Sequence, residues 1–187
     1  MEKFTFFWKS GSPFSQWHKS IFEVDGVTYT SAEQYMMHQK ALMFNDTETA
    51  ILIMNTDSPR DQKALGRQVK PFDAKKWNQE CQSIVYKGNL AKFEQNPSLL
   101  AALKATKGTT IVEASPHDTI WGIGLEKHDS RAHNRSTWRG TNWLGEILTE
   151  LRVHFIVKEK IGIEEYAKSG SFGSFFMKER ALRIIEG

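Results

Sequence analysis

Residues 28–42, TYTSAEQYMMHQKAL, constrain the fold more than any other stretch of this chain. Thr30 or Ser31 can cap a helix start, Glu33 or Gln34 can close a capping box from the third helical position, and no Pro or Gly follows. A helix is therefore expected. Glu33 and Lys40 stand seven residues apart, two turns along nearly one face, interleaved with Met36, Met37 and Ala41. An acid and an amine thus share an otherwise apolar stripe. Two readings are open from this helix alone: a half-buried Glu beside a Lys whose stem covers apolar surface while its amine reaches water, or two polar ends converging on a pocket.

With 187 residues, 40% of them hydrophobic and including 12 Phe and 6 Trp, the chain can bury a sizeable core as one domain. Its apolar runs are too short to span a bilayer, so no membrane partner is expected. The start, MEKFTFFWKSG, has neither a long apolar segment nor a small-residue cleavage site, and Cys81 is the sole cysteine. Intrachain disulfides and Cys-based zinc clusters are excluded, and the cytoplasm is the expected compartment. The formal charge of +3 tilts toward anionic partners, phosphates or nucleic acid, without identifying them.

Local signals along the chain are mostly helical. KFTFFW at 3–8 suggests a short strand, and FEVDGVTY at 22–29 a hairpin turning at Asp25-Gly26. Between them, Phe14, Trp17 and His18 suit either core packing or base stacking. TETAILIMN reads as a short helix with Ile51, Leu52 and Met54 in the core. A further helix runs from about Pro59 to Gln68, capped by Ser58, and sets Arg60, Lys63 and Arg67 on one face that is either solvated or serves a phosphate. The longest helix before the C-terminal half spans about Ala74 to Asn96, with Cys81 a structural residue, and PSLLAALKAT adds another. TTIVEAS is a strand that runs into the loop PHDTIWGIGL, where Glu113, Asp118 and Trp121 make the most enzyme-like cluster in the chain, against a simpler reading as a capped loop with a core Trp.

Residues 127–140 hold His128, Asp129, His133 and several arginines, but the spacing lacks helical i,i+4 pairing and a third ligand, so no metal is expected. They read as a solvated loop or as a rim over an anionic ligand. NWLGEILTELRVHFIVKEK is a strong amphipathic helix, with Asn142 placed to face a ligand from its amino-terminal end. No G-x-G-x-x-G or G-x-x-x-x-G-K-[ST] segment occurs and no regular βαβ alternation emerges. The fold class expected is α+β, a compact and mostly helical domain with a small β component over residues 1–160. Residues 161–187 are expected to form a helical extension that packs on the domain or makes a homodimer contact.

The order of motifs resembles the NADAR family, also called YbiA-like: SPFSQW at 12–17, FEVDGVTY at 22–29, SAEQYMMHQKA at 31–41, KFEQNPSLLAAL at 92–103, TKGTTIVEAS at 106–115, DTIWGIGL at 118–125 and WRGTNWLGEIL at 138–148. At 15–17 the family's usual Ser-Asn-Phe is here Ser-Gln-Trp. The resemblance implies an N-glycosidase acting at C1 of ribose and needing no cofactor. Its substrate is then either ADP-ribose on guanine in nucleic acid, in some bacteria opposite an ADP-ribosylating toxin, or a phosphorylated ribosylaminopyrimidine of riboflavin biosynthesis. A non-catalytic ADP-ribose-binding module is the rival reading.

Matched motif by motif, the resemblance implies catalytic roles for Glu33, Lys40 and Asp118 and ligand contacts from Trp121, Gly122 and Asn142, to which Ser15, Trp17 and Arg139 add as further candidate ligand contacts. Arg60 and Arg67 are candidates for phosphate. Cleaving ribose from an amine builds positive charge on the sugar, so one carboxylate near C1 can stabilise that charge or activate water while another acid protonates the leaving group. Lys40 opens a second route, through a Schiff base to C1 that water then hydrolyses.

Overall fold

The computed structural model describes residues 2–161. β1 (Phe4–Phe7) lies parallel to β4 (Thr110–Glu113), Phe4 opposite Thr110 and Phe7 opposite Glu113. β2 (Phe22–Val24) and β3 (Val27–Tyr29) form the expected hairpin. Asp25 and Gly26 both adopt left-handed backbone, φ 53° and 78°, the geometry whose twist matches a two-residue hairpin.

The hairpin delivers the chain to α1 (Ala32–Met43). Ser31 is its cap, with Oγ accepting from Gln34 N at 3.0 Å, and Gln34 Oε1 accepts from Thr30 N at 2.8 Å. Gln34 thus reaches back one residue past the cap, a variant of the capping box, and the Glu33 carboxyl is left for other work. α2 (Thr47–Met54), α3 (Pro59–Gly66) and α4 (Ala74–Gln95) pack around α1, with Ser58 capping α3 and Asp73 capping α4. α5 (Pro97–Ala105) and α6 (Trp143–Ile161) complete the six α-helices among the described residues, α6 lying across β4, α4 and α5. No helix among the described residues is long and apolar enough to cross a membrane.

One core joins these elements: Met36, Met37 and Ala41 of α1, Val85 and Phe93 of α4, and Leu144, Leu148 and Leu151 of α6 belong to a single buried cluster. Each large side chain there contributes about 1.5–3 kcal/mol by leaving water. Of the core residues expected in α2, Met54 packs half-buried against the cluster of Phe22, Tyr29 and Tyr35, while Ile51 and Leu52 are corrected. Ile51 and Leu52 are 61% and 47% exposed, while Ala50 and Ile53 are buried. Four consecutive apolar residues carry no phase, and α2 turns its 50/53 stripe inward instead.

Asn142 explains how β4 is held on its second edge. Its backbone has φ 55°, and its buried carboxamide accepts from Glu113 N and donates to Ile111 O, both at 3.0 Å. Thr149 Oγ1 accepts from Ile111 N at 3.0 Å. Side chains at and beyond the start of α6 therefore replace a missing neighbouring strand. The helical extension and homodimer contact expected from the final segment lie outside the described residues.

Candidate active site

A cavity of about 930 Å³ opens between α1, α3, the 8–17 segment and the loop after β4. α1 contributes Glu33, Met36, Met37 and Lys40, so the acid and amine two turns apart do converge. α3 contributes Arg60 and Lys63, and its C-cap Arg67 joins them to form a basic wall. Ser15, Gln16 and Trp17 form another side, and Glu113, Ser115, Asp118 and Trp121 come from the end of β4 and its loop.

The loop is shaped by Asp118. Its Oδ1 accepts from Ile120 N at 3.0 Å and Trp121 N at 2.7 Å, while Oδ2 lies 3.9 Å from Lys63 Nζ. One carboxylate thus folds the turn and faces a cation across the cavity. Trp121 and Trp143 meet in a T-shaped contact, ring centroids 5.8 Å apart, which holds the Trp121 ring against protein on that side. Gly122 is structural. A Cβ there would come 2.8 Å from Glu113 O and 3.1 Å from Asp118 O, so only glycine lets the loop return this close to β4.

Two further carboxyls, of Glu33 and Glu113, line this cavity. Burial pushes Glu33 up to about 7, against the pull of Lys63 and a hydrogen bond from the Trp17 side chain. Burial, then the Asp118 charge, pushes Glu113 up to about 8, with Glu33 adding to the rise. Near neutral pH Glu33 and Glu113 are therefore able to carry a proton. Lys40 donates to Gly66 O at 2.7 Å and sits 4.3 Å from the centre of the Phe72 ring. Burial, with Arg67 nearby, lowers its pKa from the ordinary lysine value.

The 13–17 wall is braced from beneath by α4. Lys92 is fully buried, and its Nζ donates to Pro13 O at 2.8 Å and Ser15 O at 2.9 Å. Burial brings its pKa down to about 7. Gln16 O accepts from Glu33 N at 3.0 Å, which ties this wall to the start of α1.

Most of the residues singled out from sequence meet here: Glu33, Lys40, Asp118, Ser15, Trp17, Trp121, Arg60 and Arg67 all line the cavity. Three do not. Gly122 supports the loop backbone, Asn142 spends its carboxamide on β4, and Arg139 is exposed outside the lining. The arginines of 127–140 are otherwise engaged as well. Arg131 pairs with Asp129, Arg135 bridges Glu2 and Glu146, and Trp138 and His133 pack on Phe4 and Phe6, so this segment is pinned to β1 and α6 and is no rim of the cavity. Among the described residues no cluster of His, Cys, Asp and Glu is arranged to hold a metal. Glu113, Lys63 and Lys92 were absent from the site expected by motif. Glu113 stood in the enzyme-like cluster and Lys63 on the basic face, whereas nothing local marks Lys92.

Fold and cavity together define an α+β domain with acid–base groups opposite a basic wall. The NADAR domain model matches residues 6–156, and the chain belongs to the NADAR family. N-glycosidase R617 of Acanthamoeba polyphaga mimivirus is 42% identical over 144 residues, which cover 74% of this chain and 85% of the relative. Protein irg-1 of Caenorhabditis elegans is 37% identical over 165 residues, covering 80% and 78%. The NMR structure of the E. coli protein YbiA superposes with a TM-score of 0.70 at 28% identity, covering 85% of this chain and 89% of that one. YbiA of Escherichia coli is itself named an N-glycosidase.

Proposed function

We propose that this protein is an N-glycosidase that hydrolyses the bond between ribose C1 and an amine nitrogen, and that it removes ADP-ribose from guanine in nucleic acid. The observation that carries the reading is the meeting, in one cavity, of the Lys63-paired Asp118 carboxylate with buried Glu33 and Glu113 carboxyls near neutrality. Two relatives named N-glycosidases support the reaction class. The size of the cavity, at the upper end of small-molecule sites, suits a nucleoside diphosphate sugar better than a single phosphorylated ribosylamine. Arg60, Lys63 and Arg67 suit its diphosphate.

In the direct route Asp118 stabilises the charge that develops at C1 and orients water, while protonated Glu33 donates to the departing nitrogen. The C1–N bond breaks, water's hydroxyl joins C1, and the two protons end on the amine and the regenerated acid. In the covalent route neutral Lys40 attacks C1 of the opening sugar, the amine leaves, and water hydrolyses the resulting imine.

The test is kcat/KM measured side by side on an oligonucleotide bearing ADP-ribosylated guanine and on a phosphorylated ribosylaminopyrimidine. A larger value for the oligonucleotide is expected. A much larger value for the small substrate reassigns the enzyme to riboflavin intermediates, and ADP-ribose binding without turnover of either reduces it to a binding module.

A further inference from the structure

Trp8, Trp17, Trp77 and Trp121, four of the 6 Trp of the chain, line the cavity. Three of them are engaged by protein. The Trp17 side chain hydrogen-bonds Glu33, and Trp77 and Trp121 pack half-buried against the core cluster that holds Met36, Met37 and Leu144. Trp8 differs. Among the described residues it joins no buried cluster, it is 39% exposed, and Lys9 Nζ lies 4.9 Å from the centre of its ring. Lys9 adopts left-handed backbone, φ 66°, so the chain turns immediately after Trp8. Trp8 follows Phe7 at the end of β1, and Phe7 pairs in parallel with Glu113 at the end of β4. Both strands therefore release their chains at the same edge of the cavity, one into Trp8, Lys9 and Ser10 and the other into the loop that carries Ile120, itself 53% exposed. Two large apolar side chains thus meet water on the cavity lining, where covering them with a planar ring is favourable.

We infer that Trp8 is a stacking platform for an unpaired base of a nucleic-acid strand, the base next to the modified guanine. This rests on the nucleic-acid reading above. A cavity of about 930 Å³ holds a nucleoside diphosphate sugar and little of the strand, so the neighbouring nucleotides fall at its mouth. An exposed indole beside a lysine matches their chemistry: the base supplies a π-face, and its phosphate supplies a charge for Lys9. A base within a duplex has its faces covered by its neighbours, so the strand engaged this way is single. The adenine of ADP-ribose is the competing occupant, but its diphosphate is drawn to Arg60, Lys63 and Arg67, on a different wall of the cavity from the 8–10 segment.

The test is fluorescence anisotropy of the full chain, at low salt, with a labelled single-stranded pentanucleotide carrying guanine at its centre and with the same strand made abasic on both sides of that guanine. The wild type should bind the intact strand about 5- to 100-fold more tightly, the range expected for a stacked base. Trp8→Ala should bind the two strands alike, to within about threefold. Trp8→Phe keeps a ring and should retain a preference of more than about threefold, which separates stacking from a general disturbance of the fold. Equal wild-type affinities for the two strands, binding of neither, or a preference that survives in Trp8→Ala overturns the inference. ADP-ribose titrated calorimetrically into the same proteins tests the adenine alternative, and a loss in Trp8→Ala that matches the loss for the intact strand also overturns it. Failure of the glycosidase reading looks different: the Trp8-dependent preference for the intact strand persists, but no N-glycoside is turned over.

Discussion

Replacing Glu33 with Gln should make the folded protein relatively more stable above neutral pH, although Glu33 stands at the candidate reaction centre. Burial raises its pKa from 4.5 to about 7. Each unit of difference between folded and unfolded chains is worth about 1.4 kcal/mol, so the whole step is worth about 3 kcal/mol. The sign follows from proton binding. The folded chain retains a proton that the unfolded chain releases above about pH 4.5, so this stabilisation is complete below that pH and is lost as pH climbs through about 7. A Gln side chain never ionises and carries no such penalty. The variant's stability minus that of the wild type should therefore rise by about 2–3 kcal/mol between pH 5 and pH 9, or roughly 5–10 °C in Tm for a chain of this size. Any cost of fitting the extra NH2 group is a pH-independent offset, so the slope is the readout. Thermal melts of both proteins in matched buffers at half-unit steps measure it. A difference that is flat with pH, or that falls as pH rises, refutes the argument that burial governs Glu33. Glu113→Gln should act in the same direction, and the two together less than additively, because the Glu33 charge contributes to the raised pKa of Glu113.

Lys40→Arg keeps the charge but cannot form an imine. Strong loss of turnover together with a borohydride-trapped ADP-ribose adduct on the wild-type Lys40 peptide establishes the covalent route, and single turnover without adduct establishes direct attack by water. Asn142→Ala strips partners from Glu113 N and Ile111 O and should cost about 2–4 kcal/mol in urea unfolding, with a loss under 1 kcal/mol contradicting its role as the second edge of β4. Turnover should survive exhaustive chelation, and activity abolished by chelator but restored by a divalent ion would overturn the metal-free mechanism.

Much of this architecture is legible in the sequence where local chemistry decides. Asp25-Gly26 dictates its turn, Ser31 and Gln34 cap α1, and Pro59 starts α3. The spacing of Glu33 to Lys40, and of Arg60, Lys63 and Arg67, carries straight through to one cavity because helical period alone fixes which side chains share a face. What is illegible depends on distant partners. Lys92, between Ala91 and Phe93 in α4, reads as a surface lysine. Its burial is set by carbonyls of Pro13 and Ser15, the latter 77 residues away. Asn142 reads as a ligand contact because a polar residue before a helix suits an anion, but the unpaired edge of β4 claims its carboxamide first. The phase of α2 was open for a third reason, since ILIM is apolar on every face.

The central claim is cleavage at C1 of ribose by this cavity, and mass analysis of the products tests it most directly. An oligonucleotide carrying one ADP-ribosylated guanine is incubated with wild-type protein and with Glu33→Gln. The account predicts unmodified oligonucleotide and intact ADP-ribose from the wild type, with the rate reduced by about 10²-fold or more in the variant. Cleavage at the diphosphate, leaving ribose phosphate on the guanine, or equal rates from both proteins, would contradict it.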